Sequence, residues 1–320
     1  MNESNTFFTM LTSGIAITAP IFLTIVTGAL LRALNILSAG IFDRLASLVY
    51  WLIMPATLFF GSLKLDFNSD ISSPYLLAGV VITLLVITLS YGYGRWRGLP
   101  RAHIGIFVQG AYRSNLGLVG IALAVQAYGD AGLALATLPV AIWTLVYNVL
   151  AVFILNTTLS RQQSVSKSIF NLLQNPLIWG IVLGALCARW GPAPSPLLLS
   201  GGGYLIQGSL FFALLSVGAS FNIARLRANY AEALEASLWK LFITPLIAVV
   251  VAVTMGVEGL QLAVLFLLLA GPTATSSYLM VAAAGGNREL AADIVMLTSL
   301  FFPFSITVGL FVLRALELLP

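Results

Sequence analysis

The residues of this chain best suited to chemistry lie in RSNLGLVG, Arg113 to Gly120, within an apolar segment running from Ile104 to Val125. A guanidinium, a hydroxyl, an amide and two glycines, Gly117 and Gly120, fall near the middle of a stretch long enough to cross a bilayer. An ionised side chain at that depth costs at least about 2.5–3.5 kcal/mol unless it is partnered, so by default it marks a functional site. Each glycine in a helix interior costs roughly 1 kcal/mol relative to alanine, and broken backbone in hydrocarbon survives only where protein or a wet cavity covers it. A second interruption, GPTATSS from Gly271 to Ser277, sits in a later apolar run.

Two such interruptions brought together would bind an anion. A broken helix offers a half-helix N-terminus with unpaired N–H groups and partial positive charge, where anions settle readily. Arg113 adds a full charge on a planar fork that matches a carboxylate bidentately. Ser114, Asn115, Thr273 and Thr275 supply further hydrogen bonds, and Gln109 and Tyr112 lie within a turn before Arg113. The expected site is thus Gln109, Tyr112, Arg113, Ser114, Asn115, Gly117, Gly120, Gly271, Pro272, Thr273, Thr275 and Ser276. Plainer roles stand beside this one. Arg113 alternatively caps carbonyls of the first half-helix; Pro272 disfavours helix at Gly271 and starts the second half-helix; Ser276 and Ser277 cap or bond back within it.

The elements that must position these residues are membrane helices. Of 320 residues, 59% are hydrophobic and 8% charged, against about 25% charged in soluble domains. The chain is therefore expected to be an all-α integral membrane protein. Ten apolar runs approach the roughly 20 residues a spanning helix needs: 13–34, 40–63, 74–96, 102–128, 131–156, 174–190, 197–221, 234–255, 258–284 and 289–314. The fourth and ninth carry the interruptions. MNESNTFFTM has no positive n-region, so the first run reads as a retained span rather than a cleaved signal.

With the N-terminus outside, eleven Lys and Arg residues fall in inside loops, Lys240 counted with Arg225 and Arg227. Three fall outside, at Lys64, Arg189 and Arg314, and Arg113 lies within a span. This is a positive-inside bias that also accounts for the net charge of +4 without nucleic acid. Ten spans return the C-terminus to the outside.

The halves match each other. At a shift of 157 residues Gly61 of LFFGSLKLDF falls opposite Gly218 of LLSVGASFNI, AYGD faces AGGN, and Asn115 falls opposite Pro272. At 156, APIFLTIVTGAL faces NPLIWGIVLGAL. Residues 1–157 and 175–320, joined by a short cytoplasmic linker over 158–174, are then two five-span repeats of opposite orientation. Such inverted repeats typify secondary transporters, whose sites lie at the midplane among discontinuous helices.

VQGAYRSNLGLVGIALAVQAYGDAG, NPLIWGIVLGALCARWG, FFALLSVGASF and AGPTATSSYLMVAAAGGNRELAADIVMLTSL resemble the auxin efflux carrier family, which includes the plant PIN-type auxin transporters and bacterial permeases linked to malonate, malate and similar acids. The resemblance runs from Pro20 to about Leu310 and is most specific at the Arg-x-Asn of the fourth span and the Pro-Thr-Ala of the ninth. It implies two inverted five-helix repeats, both termini outside, and broken fourth and ninth helices crossing at the centre. It also implies a scaffold of the first, second, sixth and seventh spans that dimerises, and a transport part that moves as an elevator. The substrate implied is a small organic anion, and the setting a bacterial inner membrane. The long cytoplasmic loop of many plant members is absent.

Coupling is the least specified feature. Every carboxylate lies near a span end, and Asp293, about one turn into the tenth, is the coupling candidate; its plainer role is a partner for the helix N-terminus. Uniport or weak proton linkage is expected. A sodium-coupled organic anion symporter of the bile-acid type is the alternative. Nothing in the sequence suits an enzyme, a cofactor or a metal: His103 has no second histidine, and Cys187 stands alone. The small-residue repeat of Gly180 and Gly184 reads as a helix-packing face.

Overall fold

The computed structural model describes residues 19–20, 23–34, 36, 41, 44, 48–63, 72–159, 176–192, 195–219 and 230–319. Among them every regular element is helical, and one isolated antiparallel bridge joins Ser114 to Thr273. The linker expected over 158–174 lies almost wholly outside the described residues, as do the first eighteen residues and the loop holding Arg225 and Arg227.

The helices are α1 (Leu23–Ala33), α2 (Met54–Ser62, entered through a π-helical turn at Val49–Ile53), α3 (Ser73–Trp96) and α4 (Arg101–Tyr112). They continue as α5 (Leu116–Thr158), α6 (Pro176–Trp190), α7 (Pro196–Ala219) and α8 (Tyr230–Thr254). The last three are α9 (Gly259–Ala270), α10 (Thr275–Ala283) and α11 (Arg288–Ala315). Of these α3, α5, α8 and α11 are long and apolar enough to cross a membrane; α3 alone, at 24 residues, reaches about 36 Å.

Two of the long helices, α3 and α11, start where the sequence supplies a cap. Ser72 accepts from the Tyr75 N–H at 3.3 Å ahead of Pro74, and Asn287 accepts from the Leu290 N–H at 3.0 Å. Such side-chain caps satisfy one of the N–H groups that a helix start leaves unpaired. α5 is two limbs rather than one rod. Gly129 takes φ 56° and ψ −138°, outside helical space, in the region where glycine avoids the penalty of a Cβ. Beyond it the chain returns alongside α4: Arg101 bonds the Thr157 carbonyl, Gln109 the Ala151 carbonyl and Tyr112 the Tyr147 carbonyl. Partners that descend as the first index rises describe antiparallel neighbours. The turn AYGD therefore separates the fourth apolar run from the fifth.

α4 and α9 are the buried centre. Ile104 through Tyr112 and Leu262 through Ala270 are buried without a gap, as expected of helices that are apolar on all sides. α6 and α7 instead turn Trp179, Leu197, Leu198, Tyr204 and Phe211 outward. Gly180 and Gly184 serve internal packing: a Cβ on either would collide with α2 at Pro55, Phe59 and Ser62.

At one end of the molecule Arg97 meets Glu235 at 3.2 Å and His103 meets Glu232 at 2.8 Å, with Asn287 on the other imidazole nitrogen. The polar ends of α3, α4, α8 and α11 are thereby tied together.

Candidate functional site

Both interruptions leave helix, and they do so against each other. α4 stops at Tyr112; Arg113 then takes φ −81° and ψ 88°, and Asn115 φ −78° and ψ 71°. α9 stops at Ala270, and Gly271, with φ −57° and ψ 162°, is held extended by the proline after it. The Asn115 N–H donates to the Pro272 carbonyl at 2.8 Å, and the Ala274 N–H to the Arg113 carbonyl at 2.9 Å. These two bonds frame the Ser114–Thr273 bridge. Backbone groups released by unwinding would be costly in a dry interior, and the two segments supply them to each other.

The carbonyls at the helix ends are met by side chains. Thr273 Oγ1 donates to the Gly110 carbonyl at 2.7 Å and Thr244 Oγ1 to the Ala111 carbonyl at 2.9 Å. The Leu269 carbonyl, at the end of α9, accepts from Ser114 Oγ and from Lys240 Nζ, each at 2.8 Å. Thr298 of α11 accepts the Thr273 N–H at 3.1 Å. Lys240 and Thr244 are one turn apart on α8, so a single face of that helix reaches the ends of both α4 and α9.

Arg113 is buried, 4% exposed. Its Nη2 donates to Asn148 Oδ1 on the second limb of α5, and its Nη1 lies 2.6 Å from Met280 Sδ on α10. Ser276 sits one turn before Met280 on the same face of α10, and both Thr275 and Ser276 are exposed. The guanidinium therefore meets α10 at Met280, one turn beyond Ser276. The start of α5 is capped by the Asn115 side chain, which accepts from the Leu118 N–H at 3.3 Å.

The structure thus brings together Arg113, Ser114, Asn115, Gly271, Pro272 and Thr273, with Thr275 and Ser276 just beyond. Gln109 and Tyr112 face the returning limb of α5, where Tyr112 and Tyr147 also stack edge to face. Gln109 Oε1 and Ser277 Oγ are buried without a partner beside a small internal void lined by Gln109, Gly110, Thr273, Ser277 and Ile294. Gly120 is a packing position, since a Cβ there would stand 2.9 Å from Leu268 Cδ2; Gly117 is half-buried in the π-helical turn Leu116–Gly120. Asp293 is buried in α11 with Oδ2 unpartnered and makes no hydrogen bond to the crossing segments.

One expectation is corrected. Lys240 is not a loop cation: it is wholly buried within α8, in the π-helical turn Trp239–Ile243, and reaches the crossing. Its place among the inside-loop charges is withdrawn, which leaves ten there. The signal was present in the sequence. α8 begins at Tyr230, among AEALEA, so residue 240 falls ten residues into the helix rather than at its mouth.

No family model matches the chain. A protein of Methanothermobacter thermautotrophicus described as an uncharacterized transporter is similar to it, 25% identical over 275 residues that cover 85% of this chain and 87% of that protein.

Proposed function

We propose that this chain is a secondary membrane carrier of small organic anions that holds its substrate at the crossing of the two unwound segments. The carrying observation is the paired break, with Arg113 buried beside it and Lys240 buried behind it. Two cations at a meeting of half-helix ends make a field suited to a carboxylate. Arg113 takes the carboxylate bidentately from a position fixed by Asn148, while Thr275 and Ser276 donate at its edge. Asn115, spent on a helix start, orients the site. Likeness to a transporter supports the reading, as do the quoted motifs that resemble the auxin efflux carrier family. Catalysis has no part in it.

The wider architecture belongs to the same proposal. Ten spans form two inverted repeats. α1, α2, α6 and α7 make a scaffold through which two copies associate, and the remaining helices carry the crossing across the inner membrane as an elevator, with both termini outside. The substrates are malonate- or malate-like acids or auxin-like acids, moved by uniport or with weak proton linkage.

Counterflow in proteoliposomes tests this. Vesicles loaded with malate, malonate or indole-3-acetate should accumulate the matching labelled acid, and at least one of these gradients should drive exchange. Absence of exchange for every small mono- and dicarboxylate, from protein that remains folded, would overturn the carrier reading. A requirement for sodium would move it to the bile-acid symporter type.

A further inference from the structure

Lys240 has work beyond the field it lends to the proposed carboxylate site. Its ammonium is held by Ser114 and Leu269, while Asn148 and Met280 meet the Arg113 guanidinium. Ser114 and Arg113 are neighbours in an extended segment, so their side chains leave opposite sides, and it is the Ser114 side that Lys240 contacts. Both oxygens it meets, Ser114 Oγ and the Leu269 carbonyl, are neutral. Among the described residues no carboxylate pairs with it; the ion pairs described, Arg97–Glu235 and His103–Glu232, lie at the end of the molecule.

A hydroxyl and a carbonyl at the C-terminal end of a half-helix, beside unwound backbone, are the surroundings in which carriers hold a free alkali cation. The helix dipole is negative at that end. We propose that Lys240 is a tethered monovalent cation: its ammonium occupies, as part of the chain, the place at which a free sodium ion would otherwise have to join α9 to the first crossing segment. Sodium is then not needed to assemble the crossing. Attachment to α8 keeps the cation at its ligands whatever the surrounding salt. The other crossing has no such device. At the 157-residue shift Thr83 of α3 corresponds to Lys240; it is neutral and bonds within its own helix to the Gly79 carbonyl. The end of α4 is met by the uncharged Thr244.

This assignment makes Lys240 a positioning residue and concerns the assembled crossing whether or not a carboxylate binds there. It is therefore tested without substrate. The midpoint of thermal unfolding is measured on detergent-purified protein in choline, sodium, ammonium and ethylammonium chlorides at equal ionic strength. The unaltered protein should show one midpoint in all four salts. Lys240→Ala should fall by about 5 °C or more in choline chloride, and ethylammonium or sodium, small enough to enter the vacated space, should recover at least half of the loss. Lys240→Met, which fills that space without charge, should fall and stay down. A sodium-raised midpoint in the unaltered protein overturns the assignment, as does a Lys240→Ala loss equal in every salt. Should Lys240→Ala yield no folded protein, Lys240→Arg and Lys240→Met are compared in choline chloride. The charge-preserving variant is expected to lose less than half as much, and equal losses overturn the assignment.

Discussion

Arg113–Asn115 and Gly271–Ala274 run antiparallel through one bridge, yet they leave helix for different reasons. The first segment is polar. Ser114 is bound to the end of α9, Asn115 to the start of α5 and Arg113 to Asn148, so side chains draw the backbone out of helix. The second is set by backbone chemistry, a glycine followed by a proline that removes a donor and restricts its predecessor. It carries no charge; its one hydroxyl, Thr273, is a buried tie, and the exposed pair Thr275 and Ser276 follows at the start of α10. One segment brings charge and the other brings shape, a division of labour that the proposed carrier would turn on a single substrate.

Substitutions can break or sharpen that contrast. The largest effect is expected at Arg113. A charge-assisted hydrogen bond is worth roughly 2 kcal/mol, so Arg113→Gln should lower carboxylate uptake about 30-fold, with Arg113→Lys falling between. Unchanged apparent affinity in both would end the view that the first segment supplies the charge. Next comes Pro272→Ala, which keeps the carbonyl that accepts from Asn115 but frees Gly271 to continue α9 as helix. Uptake should fall several-fold while the unfolding midpoint holds. A full loss of folded protein would mean that the proline serves assembly rather than shape.

A smaller effect, on stability, is expected from Thr244→Val. It leaves the Ala111 carbonyl buried without a donor, at a cost of about 1–3 kcal/mol. Thermal scans should show that loss to be the same in sodium and in choline, because no charge is removed; salt-dependent recovery would erase the difference drawn between the two half-helix ends. The smallest is Asp293→Asn, for which uptake and proton movement in proteoliposomes should match the unaltered protein. Stoichiometric proton flux abolished by this change would transfer coupling to α11 and overturn the uniport reading.

The two breaks were legible because RSN and GPTAT interrupt long apolar runs, and polarity in such a place has few explanations. The reversal at Gly129 was legible for a similar reason, as AYGD is a turn sequence between two apolar stretches. What each hydroxyl bonds to was not. Ser114 and Thr273 look alike as ligands until the Leu269 and Gly110 carbonyls are placed beside them, 155 and 163 residues away in sequence. Lys240 was misassigned for a different reason. Its own apolar run, 234–255, already contained it, yet it was counted with the loop cations; α8 begins about one turn earlier still, at Tyr230. Helix starts are among the least certain features of a sequence, and a cation within two turns of one is easily counted on the wrong side of the boundary.

The face of α8 that carries Lys240 and Thr244 limits how the protein can move. Sliding that helix past the crossing would strip the Ala111 carbonyl of its Thr244 donor, take one of two donors from the Leu269 carbonyl and leave an ammonium without oxygens in a dry place, a far larger penalty than thermal agitation supplies. α8 and both half-helix ends must therefore move as one block, and in the proposed carrier any motion that opens the crossing to opposite sides has to run along some other seam.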